Sequence, residues 1–323
     1  MQNVFIRVQP QPVVGGAVAK LLSHLEMRQF LLFFVCFLLT SCFPQDATES
    51  EIVGEGHFKL TLHISGFNQI PFSRTSGSTT TRTSGSESIT RLDLAIFDEA
   101  GTRLAKVNQE QTDADFLQPT IRVPEGNLHL VIIGHSGAGV ATLTSPSEVS
   151  FPKNKVTDTF SAYRVLTISE DTPSSLDIEL SRVVSMVRVI LTDAQLPADF
   201  TQLQLYYTGG SSTLNPQTGF GAKNSRQTEV RTLAESTTTA EGYHVFEIYT
   251  FPHIVDDELK LTLTPQNAQG LAIAPECVIE AVPVKLNCIT ECQGLLFSSG
   301  SDTDSSIHIT LNDQWGETLH HDF

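Results

Sequence analysis

Basic residues are scarce in this 323-residue chain: 20 Lys and Arg stand against 36 Asp and Glu, a formal net charge of −16. Nucleic-acid binding depends on clustered cations that neutralise phosphates, so no nucleic-acid partner is expected. Cysteine occurs five times, too seldom for a disulfide scaffold at this length, and tryptophan once. The longest apolar run falls well short of the ~20 residues that a membrane-spanning helix needs. No stretch beyond residue 55 sustains a 3.6-residue apolar period, which removes the strand–helix alternation of α/β folds. What is present is 40% hydrophobic and 17% charged, enough for packed cores and unlike a disordered chain. The length suggests about two domains.

The apolar run Phe30–Leu39 follows Arg28 and precedes Thr40, Ser41 and Cys42. A charged flank, a short apolar core and a small-residue exit describe a secretory signal. Its exit, Leu39-Thr40-Ser41-Cys42, resembles a bacterial lipobox, which implies cleavage between Ser41 and Cys42 and a lipid on Cys42. The plainer alternative is an ordinary signal peptide with an incidental cysteine. Met27 makes a better start than Met1, so residues 1–26 are expected to be an upstream extension and residues 1–41 to be removed. That removal takes away Arg7, Lys20, Arg28 and only one acidic residue, Glu26, leaving the body still more anionic. Such a body is not drawn to anionic headgroups, so acyl chains must hold it at a membrane. Residues 42–55 read as an acidic tether with Asp46, Glu49 and Glu51. The stretch is similar to the acidic signal that sends Bacteroidota lipoproteins to the outer face of the outer membrane.

Past the tether, period-two alternation recurs. Phe58, Leu60, Leu62 and Ile64 alternate with Lys59, Thr61 and His63, and Leu92, Leu94 and Ile96 alternate with Arg91, Asp93 and Ala95. Leu128–Ile133 is nearly continuous in apolar residues, as a central strand buried on both faces would be. Further strands are expected at Ala162–Ile168, Leu176–Leu180, Val183–Leu191, Leu203–Tyr207, Tyr243–Phe251, Leu259–Thr264, Val278–Leu286 and Ile307–Leu311. Helix is expected only in short pieces such as Asp113–Leu117. Many short strands between Gly, Pro, Asn and Asp predict an all-β chain of two tandem β-sandwiches. Leu176–Leu191 is too long for one strand and is interrupted at Ser181-Arg182. The expected boundary therefore separates an N-terminal sandwich, residues 56–182, from a C-terminal one, residues 183–323. Ser73–Ser88 is Ser/Thr/Gly-rich and carries Arg74 and Arg82. It reads as an exposed loop after the first strand, either a plain linker or a loop open to a protease cutting after Arg.

The lipobox cysteine, the two all-β domains and the run Leu180-Ser181-Arg182-Val183-Val184 with Val187 and Val189 resemble the FimB/Mfa-type fimbrial anchor family of Bacteroidales. Val282-Pro283-Val284-Lys285-Leu286-Asn287 and the closing strand before Trp315 fit the same pattern. The resemblance implies transthyretin-like Greek-key sandwiches. It also implies a lipidated subunit on the cell surface, at the outer membrane, that anchors a type V fimbria and joins a shaft subunit by β-strand complementation. The strand offered would be the one with Ile307, Ile309 and Leu311, or the first strand, His57–Ile64. Shaft subunits of the family lose their first strand to an Arg-directed protease. An anchor that lost it would lose Cys42, so Arg74 and Arg82 are expected to stay uncut.

Enzymatic and metal chemistry find little support. Gly134-His135-Ser136-Gly137-Ala138 nearly matches a nucleophile elbow, but no helix pattern follows it, so a strand-end turn is expected. Cys277, Cys288 and Cys292 with His320 and His321 lack a second close ligand pair for zinc. A disulfide among the three cysteines is the expected alternative, Cys288–Cys292 or Cys277–Cys288. Asp302 and Asp304 lack the glycine and closing Glu of a calcium loop. No enzyme activity, metal or cofactor is expected. A surface glycan-binding lipoprotein and a fimbrial tip adhesin remain alternative readings. Aromatic platforms for sugars are sparse; in Tyr206-Tyr207, alternation sends the rings to opposite faces.

Overall fold

The structure is a computed structural model, and it describes residues 58–67, 89–297 and 308–312. Its first half contains β1 (Phe58–Phe67), β2 (Arg91–Phe97), β3 (Arg103–Glu110), β4 (Thr120–Val123) and β5 (Gly126–His135). They are followed by β6 (Thr142–Ser145), β7 (Glu148–Ser150), β8 (Thr159–Ile168) and β9 (Ser175–Arg182). The second half contains β10 (Ser185–Leu191), β11 (Gln202–Thr208), β12 (Thr213–Asn215), β13 (Phe220–Gly221), β14 (Arg226–Thr232) and β15 (Thr237–Thr238). It closes with β16 (His244–Thr250), β17 (Asp257–Gln266), β18 (Cys277–Val284), β19 (Ile289–Gly294) and β20 (His308–Asn312). The all-β sandwich expectation holds. Asp113–Leu117, expected as helix, is instead a series of tight turns. Leu117 has φ 68°, and the Gln109 side chain binds Asp115 O and Leu117 N there in place of helical bonds.

Strand alternation builds the first core. Leu60, Leu62 and Ile64 of β1 and Ile178 and Leu180 of β9 pack against Leu92, Leu94 and Ile96 of β2 and Leu128, Leu130 and Ile132 of β5. The layers are β4-β1-β9 and β3-β2-β5-β8, joined where β8 and β9 pair at Phe160–Arg182 and Ser161–Ser181. The second core places Val187 and Val189 of β10 against Leu203, Leu205 and Tyr207 of β11 and Leu259, Leu261 and Leu263 of β17.

The two halves repeat one strand order, which the sequence did not disclose. In the first, β1 lies between β4, antiparallel, and β9, parallel; in the second, β10 lies between β16, antiparallel, and β19, parallel. The opposite layers are β3-β2-β5-β8 and β14-β11-β17-β18. The second half adds β20 on the far edge of β19. The halves also share structure. The small sheet β13-β12-β7-β6 takes strands from both, and Ala95, Phe97, Val131 and Ile133 form one apolar cluster with Val183, Val184, Leu214 and Phe251.

Candidate functional site

Sheet edges expose unpaired backbone groups and must be guarded unless they are used. β13 and β15 have two residues each, β4 four, and β6 carries a bulge. β3 is bulged against Phe97 and carries Lys106, and β14 carries Arg226 and Arg231. β18 has Pro283 and a kink at Ala281, φ 55°, against a register shift in β17. The outer edge of β20 has none of these devices.

β20 pairs antiparallel with β19 without a bulge, from Gln293–His308 to Ile289–Asn312. Its side chains are lightly held: His308 and Ile309 are exposed, Ile309 at 38%. The strand beneath is the opposite, with Ile289, Thr290 and Cys292 buried. The outer edge of β20 has no strand partner among the described residues. Ile309 falls on it, as does the backbone of Leu311, whereas Ile307 lies outside the described residues. The first strand is differently placed. β1 is paired on both sides and buries Leu60, Leu62 and Ile64, so it is no free edge.

The mid-chain run sits at the junction of the halves. Leu180 enters the first core and Val183 and Val184 the shared cluster, while Arg182, 3% exposed, is buried between them. Its guanidinium donates from Nε to Asp158 Oδ1 (2.7 Å) and from Nη2 to Asp158 Oδ2 (2.9 Å), lies 4.6 Å from the Phe160 ring centre, and reaches Asn287 Oδ1 at 3.5 Å. Burial raises the Asp158 carboxyl above its ordinary range, against the lowering pull of Arg182. The sequence named Arg182 but not its partner; a cation inside an apolar run was the available signal.

Ser136 is exposed on the turn after β5. The neighbouring His135 is fully buried, with Nε2 2.9 Å from Asp93 Oδ2 and Nδ1 accepting from the Gly137 N–H at 3.0 Å. Both ring nitrogens are engaged, so neither is available as a base for Ser136. The pair secures the turn, and Ala141 N donates to the same Asp93 oxygen at 2.6 Å.

Cys277 begins β18, and Cys288 and Cys292 belong to the chain around β19. No disulfide joins the three to one another. For Cys288–Cys292 the reason is geometric: four residues along an extended chain separate the Cα atoms by ~13 Å, beyond the ~7 Å limit for a bridge. Cys288 donates its thiol to Leu286 O at 3.5 Å, and Cys292 is part of the second core. Burial pushes the Cys292 thiol up to about 12 and raises that of Cys277. Among the described residues no group of three His, Cys, Asp or Glu side chains converges as a metal site. Tyr207 is buried and donates to Glu229 Oε1 at 3.1 Å, while Tyr206 faces outward. Ser41, Cys42, Arg74, Arg82, Asp302, Asp304, His320 and His321 lie outside the described residues.

The family described as fimbrillin-A associated anchor proteins Mfa1 and Mfa2 matches this chain over residues 59–320. No curated protein sequence matches it. Among solved structures, the fimbrial anchor protein Mfa2 of Porphyromonas gingivalis is similar at 10% identity, covering 80% of this chain and 98% of that one, with a TM-score of 0.42. A candidate adhesin of Bacteroides thetaiotaomicron is similar at 14% identity over 80% and 96% of the two chains, TM-score 0.47. A candidate polysaccharide-binding protein of the same species is similar at 12% identity over 81% and 98%, TM-score 0.48.

Proposed function

The chain belongs to the family of fimbrillin-A associated anchor proteins, a fimbrial anchor and adhesin family of the cell surface rather than one of enzymes, and from that premise we propose a membrane-tethered anchor subunit. On this reading residues 1–41 are removed, Cys42 carries the lipid in the outer membrane, residues 42–55 are the tether, and 56–182 and 183–323 are the two sandwich domains. The chain joins a shaft subunit by strand complementation at its closing strand. The observation that carries this is β20: a bulge-free strand whose outer edge has no partner among the described residues, with His308 and Ile309 exposed, placed to pair with another chain.

The test replaces Cys42 by Ala in the native host and measures fimbrial polymer on cells against polymer in the medium. Polymer that moves to the medium identifies the lipid as the mechanical link. Polymer that stays on the cells overturns the base position and leaves the tip-adhesin or glycan-binding reading. The unsubstituted protein from the same membranes should begin at Cys42, not at Thr75 or Thr83, since cleavage after Arg74 or Arg82 would break the chain between tether and body.

A further inference from the structure

We propose that the second sandwich carries a pocket for one neutral sugar ring, a hexose unit of a glycan, where β15 meets β16. The pocket follows from how the chain leaves β14. A tight turn over Leu233–Glu235 is closed by a capping box, in which Glu235 Oε2 accepts from Thr232 N at 3.2 Å. Ser236 is pinned next, its hydroxyl donating to Leu233 O at 2.7 Å and meeting His244 Nδ1 at 2.8 Å. β15 then pairs with β16 only at Thr237–Val245 and Thr238–His244. Past that pairing the Arg231 side chain reaches β16 instead, its Nε donating to Glu247 O at 3.2 Å. Arg231 and Thr237 thus flank a cavity of about 230 Å³. Drug-sized ligands occupy about 300–1,000 Å³, so this space suits a single ring.

The lining decides the ligand. Alternation puts Val245, Glu247 and Tyr249 on one face of β16. Val245 and Tyr249, with Phe246 of the second core, give the apolar and aromatic wall on which the C–H face of a sugar ring packs. The remaining groups are those a ring of hydroxyls needs. Ser236 and Thr237 can donate or accept, Glu235 and Glu247 accept, and Arg231 carries five N–H donors. Each charge already has an opposite neighbour. Arg231 pairs with Glu229, and Glu247 Oε1 accepts from Arg188 Nε at 3.0 Å and Nη2 at 2.8 Å. Bonds from Thr232, then the charges of Arg231 and Lys155, hold the Glu235 carboxyl below its ordinary range, so it stays an acceptor. A charged ligand would have to displace one of these partners, and a wholly apolar one would cover the polar groups without bonding them. A neutral polyol does neither.

The pocket needs neither the lipid nor strand addition, so it stands or falls apart from the anchor reading. The full chain, in a detergent without a sugar headgroup, is mixed with the methyl glycosides of glucose, galactose, mannose and N-acetylglucosamine. Saturation transfer to their ring protons is followed by NMR. At least one is expected to bind, and removing one of its ring hydroxyls should weaken binding roughly tenfold or more, because the site bonds those hydroxyls. Glu235→Ala should weaken it by roughly tenfold, the share of one hydrogen bond to a charged group. Ser236→Trp, which fills the pocket from its rim, should abolish transfer with the unfolding midpoint little changed. If that variant does not fold, Thr237→Trp on the exposed β15 must abolish it. Transfer to none of the four glycosides overturns the proposal, as does transfer that survives in the folded tryptophan variant. Tighter binding of glucuronate or glucosamine than of any neutral glycoside also overturns it, since the pocket would then select charge.

Discussion

Removing the guanidinium from Arg182 should be among the most damaging single changes in the chain. Arg182→Met preserves most of the side-chain volume but leaves the Asp158 carboxylate buried, its side chain 9% exposed, without the two bonds at 2.7 and 2.9 Å. Breaking one partner of such a pair costs about 3–5 kcal/mol, a large share of a typical 5–15 kcal/mol stability. With a urea slope of about 3 kcal/mol per molar, the unfolding midpoint should fall by more than about 1 M. The cost also has a pH signature. The folded carboxyl is already raised by burial, and Arg182 is what pulls it down, so the variant raises it further. A group raised on folding contributes stability below its unfolded pKa, about 3.9 for Asp, and loses it as pH rises through the folded value. The gap between variant and wild type should therefore be small near pH 4 and full at neutral pH. Adding Asp158→Leu to Arg182→Met should recover at least half of the loss, because a buried ion pair exchanged for apolar groups is often neutral. A single variant within about 1 kcal/mol of wild type, or a double variant no better than the single, would refute the reasoning.

Site-resolved thiol labelling of the folded chain at pH 8 should modify Cys277 and spare Cys292 until denaturant is added, since Cys292 is 1% exposed and its thiol is pushed up to about 12. The same shift makes folding stability fall as pH rises above about 9, measurable as a declining unfolding midpoint that Cys292→Ala flattens. Gly209→Ala should cost about 2–4 kcal/mol in chemical denaturation, because Gly209 has φ +102° and its added Cβ would sit 2.4 Å from the backbone oxygen of Glu258.

Strand positions were legible where burial alternates. Leu60, Leu62 and Ile64 point inward as their spacing requires, and Leu128–Ile133 is a central strand with a core on each face. β19 was not legible: Ile289–Gly294 is short and contains Glu291 and Gln293, so its cysteines attract attention before its alternation does. The hairpin β12–β13 and strand β14 are equally hidden, being polar and short. The duplication is invisible for a different reason. It lives in strand order and in the parallel pairing of β1 with β9 and of β10 with β19, properties of long-range register that many sequences satisfy. The Arg182–Asp158 bond and the His135–Asp93 pair span 24 and 42 residues, separations at which local pattern holds no information.

The anchor reading defines a path for load. On that reading the pull from Cys42 reaches β1 first, and β1 is held against β9 from Thr61–Ser175 to Phe67–Leu180. β1 and β9 are neighbours in one sheet, and the core under Leu60, Leu62, Ile178 and Leu180 resists their slippage. Cleavage after Arg74 or Arg82 would leave β1 held to the body only by its pairing with β4 and β9 and by the burial of Leu60, Leu62 and Ile64, with no covalent link, so a load-bearing subunit has reason to keep that connection intact.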